Sequence, residues 1–385
     1  MKIYIIIGAV LILFSFLEIF FEKFRRKEGK KVFYILLFIV GTIFMSRWFV
    51  GWDWYSYYPY FQGKSQNFEK GYIFLTELTR RFTDEYQLFV ALNTLIDFLF
   101  LLWVIPRYSN YPITTLMLYL GVNGLPLEVD IMRNVKSIML FLLSIEFIQK
   151  KKILFFVGMN LLGAFFHVSS LLYIPLYFLL PVSYKKRIIL GIFMLGNIYY
   201  FSGLNLIGEA LQYIPSQRLS GYLNFSQKGG GNLNIFYLER LLIFLFAFFT
   251  GEMVERKKRE NYCIFQNSIY LSVYIFLYLK EFPVIALRFF LLFSFSYWYI
   301  FPVFLDSLEK RIREKISLRM GVFILVGGIT FFRTYNFLTF PGNRIVYPYE
   351  NYFFEKTSRE NKIRALKEGI KYREEGKKRE ILLLY

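Results

Sequence analysis

Cysteine and histidine are almost absent from this sequence. Its 385 residues include one cysteine, Cys263, and one histidine, His167. A single cysteine excludes a disulfide bond within the chain, and a single histidine argues against a metal centre built on histidine ligands. We therefore predict no metal site.

Nucleotide-binding motifs are absent as well. The sequence contains no glycine-rich phosphate loop, no dinucleotide-binding fingerprint and no zinc signature. We therefore expect no cofactor, and nothing in the chain is suited to use ATP or a nucleotide sugar from the cytoplasm. There is also no internal repeat of about 20–50 residues, and no inverted repeat of the kind found in many transporters.

Apolar residues, in contrast, are abundant: they make up 56% of the chain, and the mean hydropathy is +0.40. Apolar runs of about 18 residues or more recur, and each is long enough to cross a bilayer core of about 30 Å. The sequence therefore predicts an all-α polytopic integral membrane protein with about twelve transmembrane helices. The predicted spans are residues 3–21, 32–50, 86–105, 109–123, 131–148, 153–166, 168–182, 188–206, 235–254, 262–280, 284–305 and 318–335.

Positive charge is concentrated in short connections between these runs, and the formal net charge is +19. In a soluble protein this charge would indicate nucleic-acid binding. Here the basic connections satisfy the positive-inside rule when all of them lie on the cytoplasmic side. We therefore expect no nucleic-acid partner, and predict a multi-pass protein of the cytoplasmic (inner) membrane, in contact with membrane lipids. The basic connections are residues 22–31, 149–152, 183–187, 255–260 and 306–315.

This path defines the predicted domain organisation. Residues 1–335 form a transmembrane helical domain with extracytoplasmic loops at 51–86 and 207–234, and residues 336–385 form an extracytoplasmic tail. Residues 71–82 are too polar to span the bilayer and predict an interfacial amphipathic helix. The run 153–180 is too long for one helix and short for two. Since both flanking connections are basic, we expect a helical hairpin that turns near residues 165–170.

Charged residues outside the basic connections are the candidates for function, because an ionisable group within a membrane is costly. In the stretch "GWDWYSYYPYF", Asp53 is either an exposed acid in an aromatic belt or a carboxylate that orients or deprotonates a sugar hydroxyl. Aromatic rings such as Trp54 suit the apolar face of a sugar, and Tyr57 lies one helical turn after Asp53. Glu69, in "NFEKGY", is by itself an ordinary loop acid or a helix-start charge.

Three arginines have two interpretations each. Arg133 is suited to an ion pair with Asp130, three residues earlier, or to binding a phosphate through its planar guanidinium. Arg288 lies about one turn inside an apolar run and either reaches back to the surface or binds an anion. Arg240 repeats this pattern. If these arginines converge from different helices, they form a pyrophosphate site.

His167 lies in "AFFHVSSLLYIP", at the predicted tip of the hairpin. A lone histidine on an apolar face is usually a core residue; at a tip that faces outward, it is also suited to bind phosphate or to shuttle a proton. Ser169 and Ser170 are placed to cap the next half-helix, whose N-terminus favours an anion. No acidic residue is near His167 in sequence, so a serine-hydrolase triad has no support.

Taken together and in this order, several stretches resemble the EpsG family, a Wzy-like group of bacterial exopolysaccharide polymerases. The matching stretches are "GWDWYSYYPYF", "FEKGY", "IMRNVKSIMLFLLSIEFIQKKK", "FFHVSSLLYIPLYFLL" and "ALRFFLLF", and "YPYENYF" resembles the C-terminal end of that family. They contain Asp53, Tyr57, Glu69, Arg133, His167, Ser169 and Arg288. One departure is Asn134, where the family pattern has a glutamine after the arginine.

The resemblance implies a glycan polymerase with a GT-C-like architecture. Such an enzyme transfers polyprenyl-pyrophosphate-linked oligosaccharide repeat units onto a lipid-linked acceptor glycan at the outer face of the cytoplasmic membrane, in a metal-independent glycosyl transfer. The resemblance also implies a chain-length regulator and a flippase of the same pathway as partners. Its donor is already activated, which is consistent with the missing nucleotide motifs.

The resemblance also implies residue roles. Arg133, Arg288 and Arg240 are expected to bind the pyrophosphate. Asp53, Glu69 or His167 is expected to take the proton of the acceptor hydroxyl. Substrate contacts are expected from Tyr57, Trp54 and Ser169.

Three alternatives remain open. One is a membrane O-acyltransferase of exopolysaccharide that uses His167 with Asn160 or Asp97. Another is a transporter or flippase of lipid-linked sugars, which should contain repeats and charges in both halves of the membrane. A ligase shares the chemistry of the polymerase and differs only in its acceptor.

Overall fold

The computed structural model describes residues 1–211, 229–354 and 357–375. Within these residues the fold is helical, and the only β-type pairing is a single antiparallel bridge between Arg47 and Asn351. The predicted all-α class is therefore confirmed. Most of the predicted loop 207–234 and the tail residues 355–356 and 376–385 lie outside the described residues.

Every predicted span overlaps a helical segment, although several boundaries differ. Among the described residues, four helices are long and apolar enough to cross a membrane: Lys2–Phe20, Tyr86–Tyr108, Ile285–Ser307 and Ile316–Thr339. These helices identify a membrane-embedded protein. Other long helices are Lys30–Met45, Met132–Gln149, Ile153–Phe166, Lys186–Phe201, Ile235–Thr250 and Arg259–Tyr278.

The predicted span 109–123 differs most from a regular helix. Helix Pro112–Tyr119 continues into a π-helical turn, Leu120–Gly124, and then into a short helix, Leu125–Val129. Gly121 lies in that turn, where an added Cβ would be 2.2 Å from the side chain of Thr330. A glycine is therefore needed for the close packing of this turn against helix Ile316–Thr339.

The start of helix Pro112–Tyr119 is held by a buried acid from another helix. Glu18 accepts hydrogen bonds from the backbone N–H groups of Ile113 at 3.0 Å and Thr114 at 2.8 Å, and from the Thr114 hydroxyl at 2.7 Å. The first N–H groups of a helix have no partner within the helix. Glu18 supplies that partner, which explains a carboxylate in an otherwise apolar helix.

The predicted hairpin at residues 153–180 is confirmed. Helix Ile153–Phe166 is followed by a 3-10 segment, Val168–Tyr173, and a short helix, Leu176–Leu179. The rings of Phe156 and Tyr177 lie 5.4 Å apart, and a Cβ on Gly163 would be 2.3 Å from the Ser170 hydroxyl oxygen. Residues further from His167 on one segment contact residues further from it on the other. The two segments are therefore antiparallel, and the chain reverses at His167.

The predicted amphipathic segment forms helix Lys70–Arg80. Its protein-facing side contains Tyr72, Thr76 and Thr79, which are buried. Phe74 and Leu78 are exposed. The helix thus turns an apolar face away from the protein, as expected for a helix at a membrane interface.

The basic connections meet at one end of the bundle. The Glu255 N–H donates to the Ser307 carbonyl at 2.9 Å, and Arg319 donates to the Phe20 carbonyl at 3.1 Å. Helix Met132–Gln149 runs from Arg133 to this end. At 1.5 Å per residue, its 18 residues separate the two ends by roughly 27 Å.

Candidate active site

Three separate elements bring Glu69, Arg133 and His167 together. Glu69 immediately precedes helix Lys70–Arg80, Arg133 is the second residue of helix Met132–Gln149, and His167 is the hairpin turn. One carboxylate oxygen of Glu69 forms an ion pair with Arg133. The other lies 3.8 Å from Nε2 of His167. We call these three residues, with Asp53 and Tyr57, the Glu69 cluster.

A glycine allows this approach. Gly71 follows Glu69 by two residues, and a Cβ there would lie 2.8 Å from both the ring and the carbonyl oxygen of Phe165. Only a residue without a side chain lets helix Lys70–Arg80 rest on the hairpin tip at this distance. The "EKGY" sequence therefore places the Glu69 carboxylate beside His167.

Arg133 is surrounded by aromatic rings. Its guanidinium carbon lies 4.8 Å from the ring centre of Phe68, 5.7 Å from that of Tyr57 and 6.0 Å from that of Tyr72. Its Nε donates to the Tyr57 hydroxyl at 3.4 Å. Such ring faces attract a cation and restrain its orientation. Among the described residues, Nη2 of Arg133 has no acceptor, and the side chain is 22% exposed.

Tyr57 connects Arg133 to Asp53. Its hydroxyl donates to Asp53 Oδ2 at 3.4 Å. Burial, together with the charge of Asp53, raises the pKa of Tyr57 well above its usual value. The phenol therefore stays protonated and acts as a donor. A continuous polar chain runs from Asp53 through Tyr57, Arg133 and Glu69 to His167.

His167 is neutral at pH 7. Its pKa is lowered to about 4, chiefly by burial; the charge of Glu69 raises it, and the charges of Arg133 and Arg288 contribute to the lowering. Nδ1 accepts a hydrogen bond from the Ser169 N–H at 3.2 Å and lies 2.6 Å from the Ser169 hydroxyl. In the neutral tautomer that this acceptor role selects, the proton is on Nε2 and faces Glu69.

The predicted capping by Ser169 and Ser170 is wrong. The residue that caps the segment Val168–Tyr173 is His167, whose side chain accepts the Ser169 N–H. The Ser170 side chain is instead buried against Gly163. The two serines thus help to shape the turn, and Ser169 acts on the ring orientation of His167.

The arginines form two groups. Arg288 is exposed on helix Pro283–Phe293, and its positive charge contributes to the lowered pKa of His167. Arg240 lies in a second, buried group: Arg333 pairs with Glu239 at 2.7 Å and Arg240 with the same carboxylate at 3.4 Å. Both guanidiniums flank the ring of Phe290, at 4.7 and 4.6 Å from its centre. The helix that carries Arg288 therefore also contacts the second group.

The rings of the aromatic stretch differ in their exposure at the protein surface. Trp54, an expected substrate contact, is 5% exposed and packs on Phe49 with ring centres 4.6 Å apart. Tyr55 is 46% exposed. The ring of this helix that is open to solvent is thus Tyr55, which the sequence did not single out as a substrate contact.

Asp130 does not pair with Arg133. It accepts hydrogen bonds from the backbone N–H groups of Trp52 at 2.6 Å and Asp53 at 3.3 Å, and from the Tyr347 hydroxyl. It therefore anchors the backbone of the Asp53 segment. The separation of 78 residues between Asp130 and Trp52 explains why local sequence spacing did not indicate this contact.

A buried ion pair lies one turn further along the Arg133 helix. Lys136 Nζ is 3.0 Å from Asp97 Oδ2 and donates to the Met132 carbonyl at 3.2 Å, and both charged side chains are at most 2% exposed. This pair joins helix Tyr86–Tyr108 to the start of helix Met132–Gln149. An intramembrane Asp97 was a visible signal in the sequence; its partner Lys136 was not.

The described residues contain no group of three or more His, Cys, Asp or Glu side chains that could hold a metal ion. The Glu69 cluster contains two carboxylates, a phenol, a neutral imidazole and one guanidinium. Such groups can accept a proton and bind an anion.

Comparison with known family models identifies a family. The family model described as EpsG family matches residues 30–351, which includes every residue of the Glu69 cluster. No curated protein and no solved structure matches the chain.

Proposed function

The chain belongs to the EpsG family, and from this premise we propose that it transfers polyprenyl-pyrophosphate-linked oligosaccharide repeat units onto a lipid-linked acceptor glycan at the outer face of the cytoplasmic membrane. Membership of the family implies, in general, a membrane-embedded Wzy-like exopolysaccharide polymerase that acts on lipid-linked oligosaccharides. The donor, the direction of transfer and the side of the membrane are our proposal.

One observation carries the residue assignment: Glu69 lies between Arg133 and His167 in a partly buried cluster. Departure of a polyprenyl pyrophosphate leaves negative charge, which preorganised cations stabilise best in a site with little water. Arg133 has Nη2 available, since no described residue accepts from it, and Arg288 adds a second cation on the same side. We assign these two arginines to the pyrophosphate.

The proton of the acceptor hydroxyl is assigned to a carboxylate. His167 uses Nδ1 for Ser169, and its low pKa makes the ring a weak base. Asp53 and Glu69 remain as the general bases, and His167 is assigned to orient Glu69 through its Nε2 proton. Tyr55, rather than the buried Trp54, is the ring we assign to stacking on sugar.

Arg240 is assigned a supporting role. It is 3% exposed and lies with Arg333 around Glu239. From there it supports helix Pro283–Phe293, which carries Arg288, through its contact with Phe290. Direct contact between Arg240 and pyrophosphate is therefore not part of the proposal.

Acyl transfer by His167 is less well supported. Asn160 donates to the Phe156 carbonyl at 2.8 Å and to the Ser144 hydroxyl at 3.2 Å, and Asp97 is paired with Lys136. Neither partner that this reaction requires is therefore directed at His167.

The test uses purified protein with a synthetic polyprenyl-pyrophosphate oligosaccharide, without nucleotide or added metal. We expect a ladder of longer glycans, resolved by gel or mass spectrometry. Arg133→Gln should abolish the ladder, while Arg81→Gln, a change at an exposed arginine, should preserve it. A cognate substrate that gives no ladder would refute the polymerase. A ladder that survives Arg133→Gln would refute the assignment of the pyrophosphate site.

A further inference from the structure

The end of the molecule opposite the Glu69 cluster contains a polar cavity of about 570 Å³. Its lining comes from four parts of the chain that are far apart in sequence, within residues 106–110, 146–150, 258–265 and 303–313. Lys150 and Lys258 are 57% and 41% exposed, so the mouth of the cavity reaches solvent. Phe265 and Val303 contribute apolar surface.

Cations outnumber acids in this lining by four to two. The charged lining residues are Arg107, Lys150, Lys258, Arg313, Glu146 and Asp306. Both acids are already bound, because Glu146 pairs with Arg107 and Lys150, and Asp306 accepts the Asn110 N–H at 2.8 Å. Lys258 pairs with Glu255, just outside the lining, at 3.2 Å. Among the four cations of the lining, Arg313 is thus the one without an ion pair in the described part of the chain, although Asp306 interacts with it electrostatically.

Arg313 provides the clearest indication of a ligand. Within the described part of the chain the Nε of its guanidinium is buried and has no hydrogen-bond partner. Its backbone is fixed at both groups: the N–H donates to the Glu309 carbonyl at 2.9 Å, and the carbonyl accepts from Arg319 at 2.7 Å. A buried donor without an acceptor is destabilising, so the cavity holds a guanidinium prepared for an anion.

We propose that this cavity binds a phosphate-bearing anion. A guanidinium matches the oxygens of a phosphate with two parallel donors, and the negative charge of a phosphate compensates the positive charge of Arg313. The cavity is larger than one phosphate group, which leaves room for the rest of a ligand. Since the basic connections lie at this end, the positive-inside rule makes the source either a soluble cytoplasmic phosphate compound or the headgroup of an inner-leaflet lipid.

The site is independent of the polymerase reaction, and its test does not use activity. Hydrogen–deuterium exchange of the purified full chain is measured with and without inorganic phosphate, in nanodiscs of phosphatidylcholine alone. A second arm replaces part of the phosphatidylcholine with phosphatidylglycerol and omits inorganic phosphate. Because exchange is read by segment, protection of residues 106–110 and 306–313 is distinguished from phosphate binding near Arg133.

Protection of both segments is expected in at least one arm and identifies the source. Arg313→Gln should weaken binding by at least about tenfold, since it removes a charge-assisted contact, and Arg313→Lys should have an intermediate effect. Lys310→Gln is the matched control: Lys310 is 70% exposed, pairs with Glu314 and does not line the cavity. No protection in either arm, or equal protection in Arg313→Gln, would overturn the proposal.

Discussion

Arg133 forms an ion pair with Glu69 although 64 positions separate them in the sequence. The pair joins helix Met132–Gln149 to the segment before helix Lys70–Arg80, and His167 approaches the same carboxylate from the hairpin tip. Three elements that are distant in sequence therefore meet at one carboxylate. Under the proposed function, the group assigned to pyrophosphate and a carboxylate assigned to accept the proton are in direct contact, so a change in one should affect the other.

The first prediction concerns Glu69→Gln. The amide keeps the shape of the side chain but loses its charge and its basicity, so we expect polymer formation to fall by about 10²-fold or more. Both side chains of the pair are 22% exposed, and the loss of stability should be below about 1 kcal/mol. Initial rates and thermal unfolding of the same preparations separate the two effects.

Lys186→Gln is the control for this change. It breaks an exposed ion pair with Glu252 at 2.7 Å, away from the Glu69 cluster, and should leave the rate unchanged. A Glu69→Gln enzyme with wild-type rates would show that Glu69 neither accepts the proton nor positions Arg133.

The second prediction concerns Gly51, whose φ is +90° and where an added Cβ would lie 2.2 Å from Asp130 Oδ1. Gly51→Ala should displace Asp130 and so break the hydrogen bond that the backbone N–H of Asp53 donates to the Asp130 carboxylate. We expect a loss of stability beyond the roughly 1–2 kcal/mol of a left-handed non-glycine residue, together with a loss of polymerase activity. Thermal unfolding and the glycan assay measure these effects.

Gly63→Ala separates steric overlap from backbone strain. Gly63 has nearly the same φ, +91°, but the nearest atom to an added Cβ is Nη2 of Arg80 at 3.8 Å. This variant should show only the cost of backbone strain and keep its activity. Equal losses in the two variants would mean that the contact with Asp130 contributes nothing.

The third prediction distinguishes two neighbouring rings. Tyr55→Ala removes an exposed ring and should raise the KM for the acceptor with little change in unfolding temperature. Trp54→Ala removes a buried ring that packs on Phe49 and should cost about 3–5 kcal/mol of stability. Steady-state kinetics beside thermal unfolding give the comparison. A raised KM in a fully stable Trp54→Ala variant would restore Trp54 as the sugar contact.

The sequence predicted where the helices lie, but not which of their side chains are buried against other helices. Long apolar runs require helices in a membrane because backbone groups have no water to bind, and basic flanks required the reversal at His167. The choice between Trp54 and Tyr55 could not be made in this way. Helix Trp54–Phe61 has aromatic side chains at nearly every position, so no periodic apolar face marks its buried side.

The cluster itself shows the same limit. Asp53, Glu69, Arg133 and His167 were each visible as ionisable residues outside the basic connections, but their pairing depends on contacts between distant helices. Gly71 is the clearest case: its role follows from the position of Phe165, 94 residues later, which no local pattern encodes. Pairing was therefore predictable only to the extent that the candidate charges had to lie at the same end.

The fourth prediction concerns the pH dependence of stability. Burial lowers the pKa of His167 to about 4 in the folded state, below its unfolded value near 6.5. Below pH 6.5 the unfolded chain therefore binds a proton that the folded chain does not. The contribution of neutral His167 to the free energy of unfolding is therefore fully present above pH 6.5. It is lost as the pH falls towards 4, and the loss is at most about 3 kcal/mol.

His167→Asn should flatten this part of the profile, since the substituted side chain does not titrate. Thermal unfolding from pH 4 to 7.5 in one detergent provides the measurement, and the difference between the two profiles gives the contribution of His167 together with its interaction with Glu69. Parallel profiles would mean that the folded protein binds a proton on His167 as readily as the unfolded chain.

The fifth prediction concerns the buried pair of Asp97 and Lys136. Removing one partner leaves an uncompensated charge in the bundle, so Asp97→Asn and Lys136→Met should each cost about 3–5 kcal/mol. The double variant Asp97→Leu with Lys136→Met removes both charges and should recover most of the lost stability.

If the pair only stabilises the bundle, the double variant will also polymerise. If it positions Arg133, one turn away on the same helix, the double variant will be stable with a reduced kcat, and thermal unfolding beside kinetics decides between the two roles.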